Sequence, residues 1–194
     1  MKKTLLFCLI LSLYGCGKDQ SDQKNSNDSE EIESVSSELK PSKDSELQYT
    51  EEKNGNGIVI SSGYLKDGKK ESSWATYSTG QTHLLKTLTN YVNDKKEGLY
   101  LEFNDGNQLI KKCTYRNDVR HGEYREYHYS NLKEERFYQN GKQEGTTKVY
   151  YETGKLMEEG VYKNGLREGI SKWYDEQGNL TIEYEYRNGQ LVKK

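Results

Sequence analysis

A motif ending in Asn-Gly returns along this chain at a nearly constant interval, and that periodicity limits the fold more than any other feature. Tyr138-Gln139-Asn140-Gly141, Tyr162-Lys163-Asn164-Gly165 and Tyr186-Arg187-Asn188-Gly189 stand 24 residues apart. Tyr115-Arg116-Asn117-Asp118 and Tyr91-Val92-Asn93-Asp94 extend the series backwards at 23 and 24, and Leu65-Lys66-Asp67-Gly68 is a weaker copy 26 residues earlier. Other positions keep step. Each turn is followed by a small residue, usually behind an acid: Glu71-Ser72, Glu97-Gly98, His121-Gly122, Glu144-Gly145 and Glu168-Gly169. An aromatic comes five residues later, at Tyr77, Phe103, Tyr127, Tyr150 and Tyr174, and a second turn is read at Gly80, Gly106, Asn131, Gly154 and Gly178. Self-similarity at such a period marks an array of small units that cannot bury their apolar faces alone.

The pattern within a unit is that of strands. An aliphatic residue leads the segment after the second turn, and the aromatic of the turn motif follows six positions later: Leu109/Tyr115, Leu132/Tyr138, Leu156/Tyr162 and Leu180/Tyr186. Six is even, so both ends of an extended strand project from one face. In the last copy Leu180, Ile182, Tyr184 and Tyr186 alternate with Thr181, Glu183, Glu185 and Arg187, which predicts a half-buried strand. Asn140-Gly141, Asn164-Gly165 and Asn188-Gly189 predict tight hairpin turns, because both residue types tolerate positive φ. The expected fold is all-β: an elongated antiparallel sheet of stacked β-hairpins over residues 54–194, preceded by a disordered tether. Leu109, Tyr115, Leu132, Tyr138, Leu156, Tyr162, Leu180 and Tyr186 are its expected core, and recurrent glycine at the start of each first strand is expected to allow close backbone approach.

Composition explains why such a core must be aromatic. The hydrophobic share is 31%, and 17 of those residues are tyrosine. Tyrosine supplies apolar area while its hydroxyl stays wet or hydrogen-bonded. A thin core of this kind counts against a dinucleotide-binding enzyme and a multi-span membrane protein. Three dispersed cysteines, Cys8, Cys16 and Cys113, form neither a metal motif nor a disulfide framework, and Cys113 is expected to be a packed thiol.

The unit running from Tyr162 through Glu168-Gly169 and Trp173-Tyr174 to Gly178-Asn179-Leu180 resembles the bacterial variant of the MORN repeat, over about residues 57–194. The resemblance implies a twisted sheet of successive hairpins with a role in protein association or attachment near membranes. Many members of that group are regarded as antitoxins, so inhibition of a protein toxin is a lesser expectation, which export from the cytoplasm fits poorly.

The first residues read as an export signal. Lys2 and Lys3 precede the apolar run Leu5–Leu13, which is too short to span a bilayer and has the form of a signal h-region. It ends in Leu13-Tyr14-Gly15-Cys16, which resembles the bacterial lipobox; the resemblance implies a signal peptide over 1–15 and diacylglycerol and palmitate chains on Cys16. One acyl chain holds a protein marginally and two or more hold it stably. Residues 16–53 then carry the lipidated cysteine and a Ser, Asn and Glu-rich stretch with eleven acidic and five basic side chains in 17–53. Such a segment lacks the apolar surface to offset its ordering entropy and is expected to be a tether, with a reach of roughly 30–37 Å. The absence of Asp after Cys16 resembles sorting to the outer membrane, and Lys18-Asp19 faintly resembles a surface-export signal. Lys193 and Lys194 are expected to protect an exposed edge.

No nucleophile elbow, phosphate loop, dinucleotide fingerprint or HExxH occurs. His83, His121 and His128 are scattered, and the carboxylates recur with the repeat as solvated strand faces do, whereas an acid–base pair should occur once. No enzyme, cofactor or metal is expected. Nucleic acid is not expected as a partner on electrostatic grounds, since the array carries 22 basic and 20 acidic residues. Two functions remain: a lipid-anchored envelope scaffold whose sheet binds another protein, and a carbohydrate or cell-wall-binding module using rows of tyrosine. The second requires Tyr100 and Tyr124 to lie in an open row.

Overall fold

The computed structural model describes residues 46–80 and 83–192. The signal peptide 1–15, Cys16, the tether as far as residue 45, and Lys193 and Lys194 lie outside the described residues. Within them the chain forms fifteen strands and no helix: β1 (Gln48–Lys53), β2 (Val59–Lys66), β3 (Lys69–Tyr77), β4 (Leu85–Val92), β5 (Lys95–Phe103), β6 (Leu109–Arg116), β7 (Val119–His128), β8 (Asn131–Gln139), β9 (Lys142–Gln143), β10 (Gly145–Tyr150), β11 (Leu156–Lys163), β12 (Leu166–Arg167), β13 (Gly169–Tyr174), β14 (Leu180–Arg187) and β15 (Gln190–Leu191). Every pairing is antiparallel and joins neighbours in the sequence, so the chain is one open meander of hairpins. The short β9 and β12 are the first steps of strands that resume as β10 and β13, interrupted at Glu144 and Glu168.

β1 corrects the sequence-based boundary of the tether at residue 53. Gln48–Lys53 pairs with β2, its Tyr49 ring meets Tyr64 edge-on at 5.6 Å, and Ser61 donates to Glu52. A strand needs only one edge to pair with, so a mostly polar segment joins a sheet whose neighbouring strand is already formed.

Both residues of each Asn-Gly turn sit at positive φ, from 49° to 53° at the asparagines and 79° to 87° at the glycines of the last three copies, as a two-residue hairpin turn demands. Asp94 and Asp118 replace that glycine in two earlier copies, and each repays the strained backbone with its carboxylate: Asp94 accepts from Lys70 N at 2.6 Å and Asp118 from Lys96 N at 2.8 Å. The turns also bond to the preceding unit, through Gly165 N to Gln143 O at 2.9 Å and Gly189 N to Arg167 O at 2.8 Å.

The core is a line across one face. Cross-strand partners Trp74, Thr89, Tyr100, Cys113, Tyr124 and Arg136 succeed one another from β3 to β8, and Thr147 with Gly160, then Ser171 with Tyr184, continue it. Trp74, Thr89, Cys113, Tyr124, Thr147 and Ser171 are buried. With no second layer above them among the described residues, they are covered by long side chains from the adjacent row: Lys70 lies 4.1 Å from the Trp74 ring centroid, Lys96 5.5 Å from Tyr100, and Arg120 5.0 Å from Tyr124. The stems supply apolar contact and the charges face the ring π-clouds.

This placement revises the expected core. Tyr138 is buried, but Tyr115, Tyr162 and Tyr186 are half-buried beside the line, as are Leu109, Leu132 and Leu156; Leu180 is 51% exposed. Alternation identifies a face without saying which row on it is covered. A register shift also separates each leading leucine from the rest of its strand, between Glu102 and Phe103 opposite Leu109 and between Trp173 and Tyr174 opposite Leu180, so the six-residue parity does not carry through. The unit-starting glycines need revision too. Gly145 and Gly169 have φ of 76° and 73°, and a Cβ there would meet nothing within 4 Å. They are required by backbone conformation, not by close approach. Close approach does occur at one unit-starting glycine, Gly122, whose added Cβ would lie 2.5 Å from Thr114 Oγ1, and outside that series at Gly63, whose added Cβ would lie 2.5 Å from the Trp74 ring.

Candidate functional site

The face opposite the core line has a row with complete register: Ala75, Leu88, Leu101, Lys112, Arg125, Glu135, Lys148, Glu159, Lys172 and Glu183. From Arg125 onward the charges alternate strictly, with Arg125 Nε 3.7 Å from Glu135 and Lys172 Nζ 3.9 Å from Glu183. The next row on that face holds Phe137, Val161 and Ile170, opposite Glu123, Thr146 and Glu185. All three are exposed, as are Val92 and Val119 beside the Asn93-Asp94 and Asn117-Asp118 turns and Leu166 beside Asn164-Gly165. Recurrent exposed apolar side chains on a sheet face are the usual mark of a contact surface.

The repeated carboxylates have a structural task that the sequence reading missed. Glu71 accepts from Asn93 N at 2.9 Å, Glu97 from Asn117 N at 2.8 Å, Glu144 from Asn164 N at 2.8 Å and Glu168 from Asn188 N at 2.8 Å. Each acid ties the turn of the following unit to its own. In the third copy the acceptor is His121 Nδ1, 3.4 Å from Asn140 N. The signal was present in the sequence as an acid about twenty residues before four of the five turn asparagines.

That third copy differs at its other end as well. Five positions separate Tyr127 from Leu132, where six separate Phe103 from Leu109, Tyr150 from Leu156 and Tyr174 from Leu180. The second and fifth copies close with a longer loop in which one side chain accepts two backbone N–H groups: Asn104 Oδ1 from Gly106 and Gln108, and Asp175 Oδ1 from Gln177 and Asn179. With one residue fewer, β7 and β8 pair out to His128 and Asn131, leaving Tyr129-Ser130 as the turn at φ of 47° and 69°. Asn131, read from the sequence as the turn, is therefore already in the strand. A bulky residue in the left-handed region costs about 1–3 kcal/mol, and Tyr129 is also 71% exposed.

Beside this turn lies a cleft of about 660 Å³. Ile110, Leu132 and Met157 give it aliphatic and thioether surface, and Tyr127, Tyr150 and Tyr151 give it rings. Lys111, Glu126, His128, Asn131, Lys133 and Glu152 complete the lining. Most of the polar groups are engaged within the sheet. The Tyr150 hydroxyl donates to Glu135 at 2.8 Å, the Tyr151 hydroxyl to Tyr174 O at 2.7 Å, and Asn131 Nδ2 to Glu152 O at 3.1 Å. Lys111 Nζ lies 2.8 Å from Glu102, and Lys133 Nζ lies 3.6 Å from Glu126. The Tyr124 hydroxyl, hydrogen-bonded to Glu126, holds that carboxyl below the usual range, and Lys133 adds to the effect. Burial and the Glu135 hydrogen bond push the Tyr150 hydroxyl up to about 12.

Tyr124 is 4% exposed and packs edge-on against Tyr138 at 5.7 Å, while Tyr100 is half-buried against the same cluster. Those two rings do not form the open row that sugar stacking along the sheet requires. Cys113 is buried beside them, and burial pushes its thiol up. Among the described residues no group of three His, Cys, Asp or Glu side chains is placed to hold a metal ion.

No curated protein matches the chain. The repeat units themselves do find a counterpart: residues 96–117, 143–164 and 167–188 match the MORN repeat variant, and the chain carries that repeat at these three places, on either side of the short Tyr129-Ser130 turn.

Proposed function

We propose that this protein is a non-enzymatic, lipid-anchored protein of the bacterial envelope whose sheet is a scaffold for binding another protein. The observation that carries the reading is the open face opposite the core line, where Phe137, Val161, Leu166 and Ile170 stand exposed beside an alternating row of charges. A single sheet leaves that face without a second layer, and its mixture of apolar and paired charged groups suits a protein surface. MORN repeats are generally modules of protein or membrane interaction and typically non-enzymatic. Cys16 would supply the anchor, the tether would lift the sheet from the lipid surface, and the outer membrane is the destination the residues after Cys16 favour.

Two measurements test this. Metabolic labelling with an alkyne fatty acid should mark the protein and fail in Cys16→Ser, and proteolysis of intact cells then tells which side of the membrane holds the sheet. A photo-crosslinking residue at position 170 should give a discrete protein adduct in cells. Binding to envelope polysaccharide with no protein adduct from either face would overturn the scaffold reading.

A further inference from the structure

The cleft at the short turn has a chemistry of its own. Two of its three tyrosine hydroxyls and its amide nitrogen are already bonded inside the sheet, through Tyr150 to Glu135, Tyr151 to Tyr174 O and Asn131 to Glu152 O. A saccharide needs such groups free to exchange for its bonds to water, and here few are. Open to an occupant are ring faces and the aliphatic and thioether atoms of Leu132 and Met157, a surface that adapts to bulky apolar side chains. Charge sharpens the description. Lys111 is tied to Glu102, and Lys133 faces Glu126, whose other oxygen takes the Tyr124 hydroxyl. Glu152 is different: its side chain is 85% exposed, with His128 Nδ1 at 3.3 Å. Among the described residues no lysine or arginine is paired with it, so this carboxylate stands open to a basic group of an occupant. Tyr129, held out at the rim in a left-handed turn against His128 with ring centroids 4.3 Å apart, extends the apolar border.

We infer that the cleft is the anchoring pocket for an extended segment of a partner protein, one that inserts a bulky apolar side chain and sets a lysine or arginine against Glu152. The volume of about 660 Å³ falls within the usual range of ligand clefts. Buried apolar anchors of this kind carry most of the affinity of protein interfaces, and a rim charge selects among partners. The assignment rests on the scaffold reading and specifies its partner.

A phage library of random dodecapeptides, panned against the full chain, tests it. Enriched sequences should hold an aromatic, leucine or methionine residue within two positions of a lysine or arginine. Glu152→Lys alters an exposed side chain and leaves the fold intact. It should weaken an enriched peptide about tenfold, as loss of one well-placed ion pair does, and the same peptide with its base changed to glutamate should recover binding to the variant. Tyr129→Asn, which relaxes the turn, should weaken binding without lowering the melting temperature. Absence of an enriched motif, identical enrichment by Glu152→Lys, or glycan-array binding lost on changing Met157 would each overturn the assignment. If panning fails while a crosslinker at position 137 or 170 still captures a protein in cells, the cleft assignment falls and the scaffold reading stands.

Discussion

Four of the five acceptors that tie one unit's turn to the unit before are carboxylates, so glutamate at position 121 is expected to strengthen the link that His121 makes weakly. Asn140 N lies 3.4 Å from His121 Nδ1, against 2.8 to 2.9 Å for the four Glu–Asn pairs. A hydrogen bond to an ionised group contributes about 1.5–3 kcal/mol and one between neutral groups about 0.5–1.5 kcal/mol. The site is partly exposed, so the lower ends apply, and His121→Glu should gain about 1 kcal/mol. With a urea dependence of about 1–3 kcal/mol per molar, the midpoint should rise by roughly 0.3–1 M. Trp74 in β3 and Trp173 in β13 report from separate strands of the sheet by fluorescence, so a gain confined to one region would be visible. Glu144→Ala is the reciprocal change and should lower the midpoint by a similar amount. An unchanged midpoint in both variants would refute the reasoning: the carboxylates would then exchange one solvent hydrogen bond for another with no net effect.

Three further changes test other parts of the account. Tyr124→Ala should cost about 4 kcal/mol through the cavity it leaves against Tyr138 and Cys113, while Tyr124→Phe, losing only the bond to the Glu126 carboxylate, should cost about 1.5–2 kcal/mol; equal losses in urea denaturation would show that ring burial is not the larger contribution. Gly169→Ala should destabilise by about 1–2 kcal/mol although its Cβ would meet nothing, because φ of 73° strains any side chain; a neutral result by thermal melting would make the unit-starting glycine dispensable. Acid should also weaken the sheet. Glu102 and Glu126 are held below the usual carboxylate range, the first chiefly by its Lys111 hydrogen bond and the second by that of Tyr124. Their stabilisation is complete above the unfolded carboxylate value and is lost as pH falls through the depressed folded one, from about pH 5 downward. Glu126→Gln should flatten that acid limb in a midpoint-against-pH profile; an unaltered slope would exclude Glu126 as its source.

The tyrosine and asparagine-glycine periodicity by itself determined that the chain is all-β, that its hairpins follow one another in sequence, and where the Asn-Gly turns fall. These are local properties: strand alternation and positive-φ tolerance belong to a few adjacent residues and survive in any context. Tertiary structure decided what depends on neighbours. Tyr138 and Tyr186 hold corresponding places in the repeat pattern, yet Tyr138 is buried and Tyr186 only half-buried, because cover comes from neighbouring strands: the Tyr124 ring packs edge-on against Tyr138 and Arg120 reaches across to it. The acids before each glycine read as solvated groups until strand pairing brought them to the following turn. The loss of one residue between Tyr127 and Leu132 was visible as a 23-residue interval, but only the pairing of His128 with Asn131 converted it into the strained turn beside the cleft. Periodicity records which way a side chain points, and burial is decided by what arrives from elsewhere to cover it.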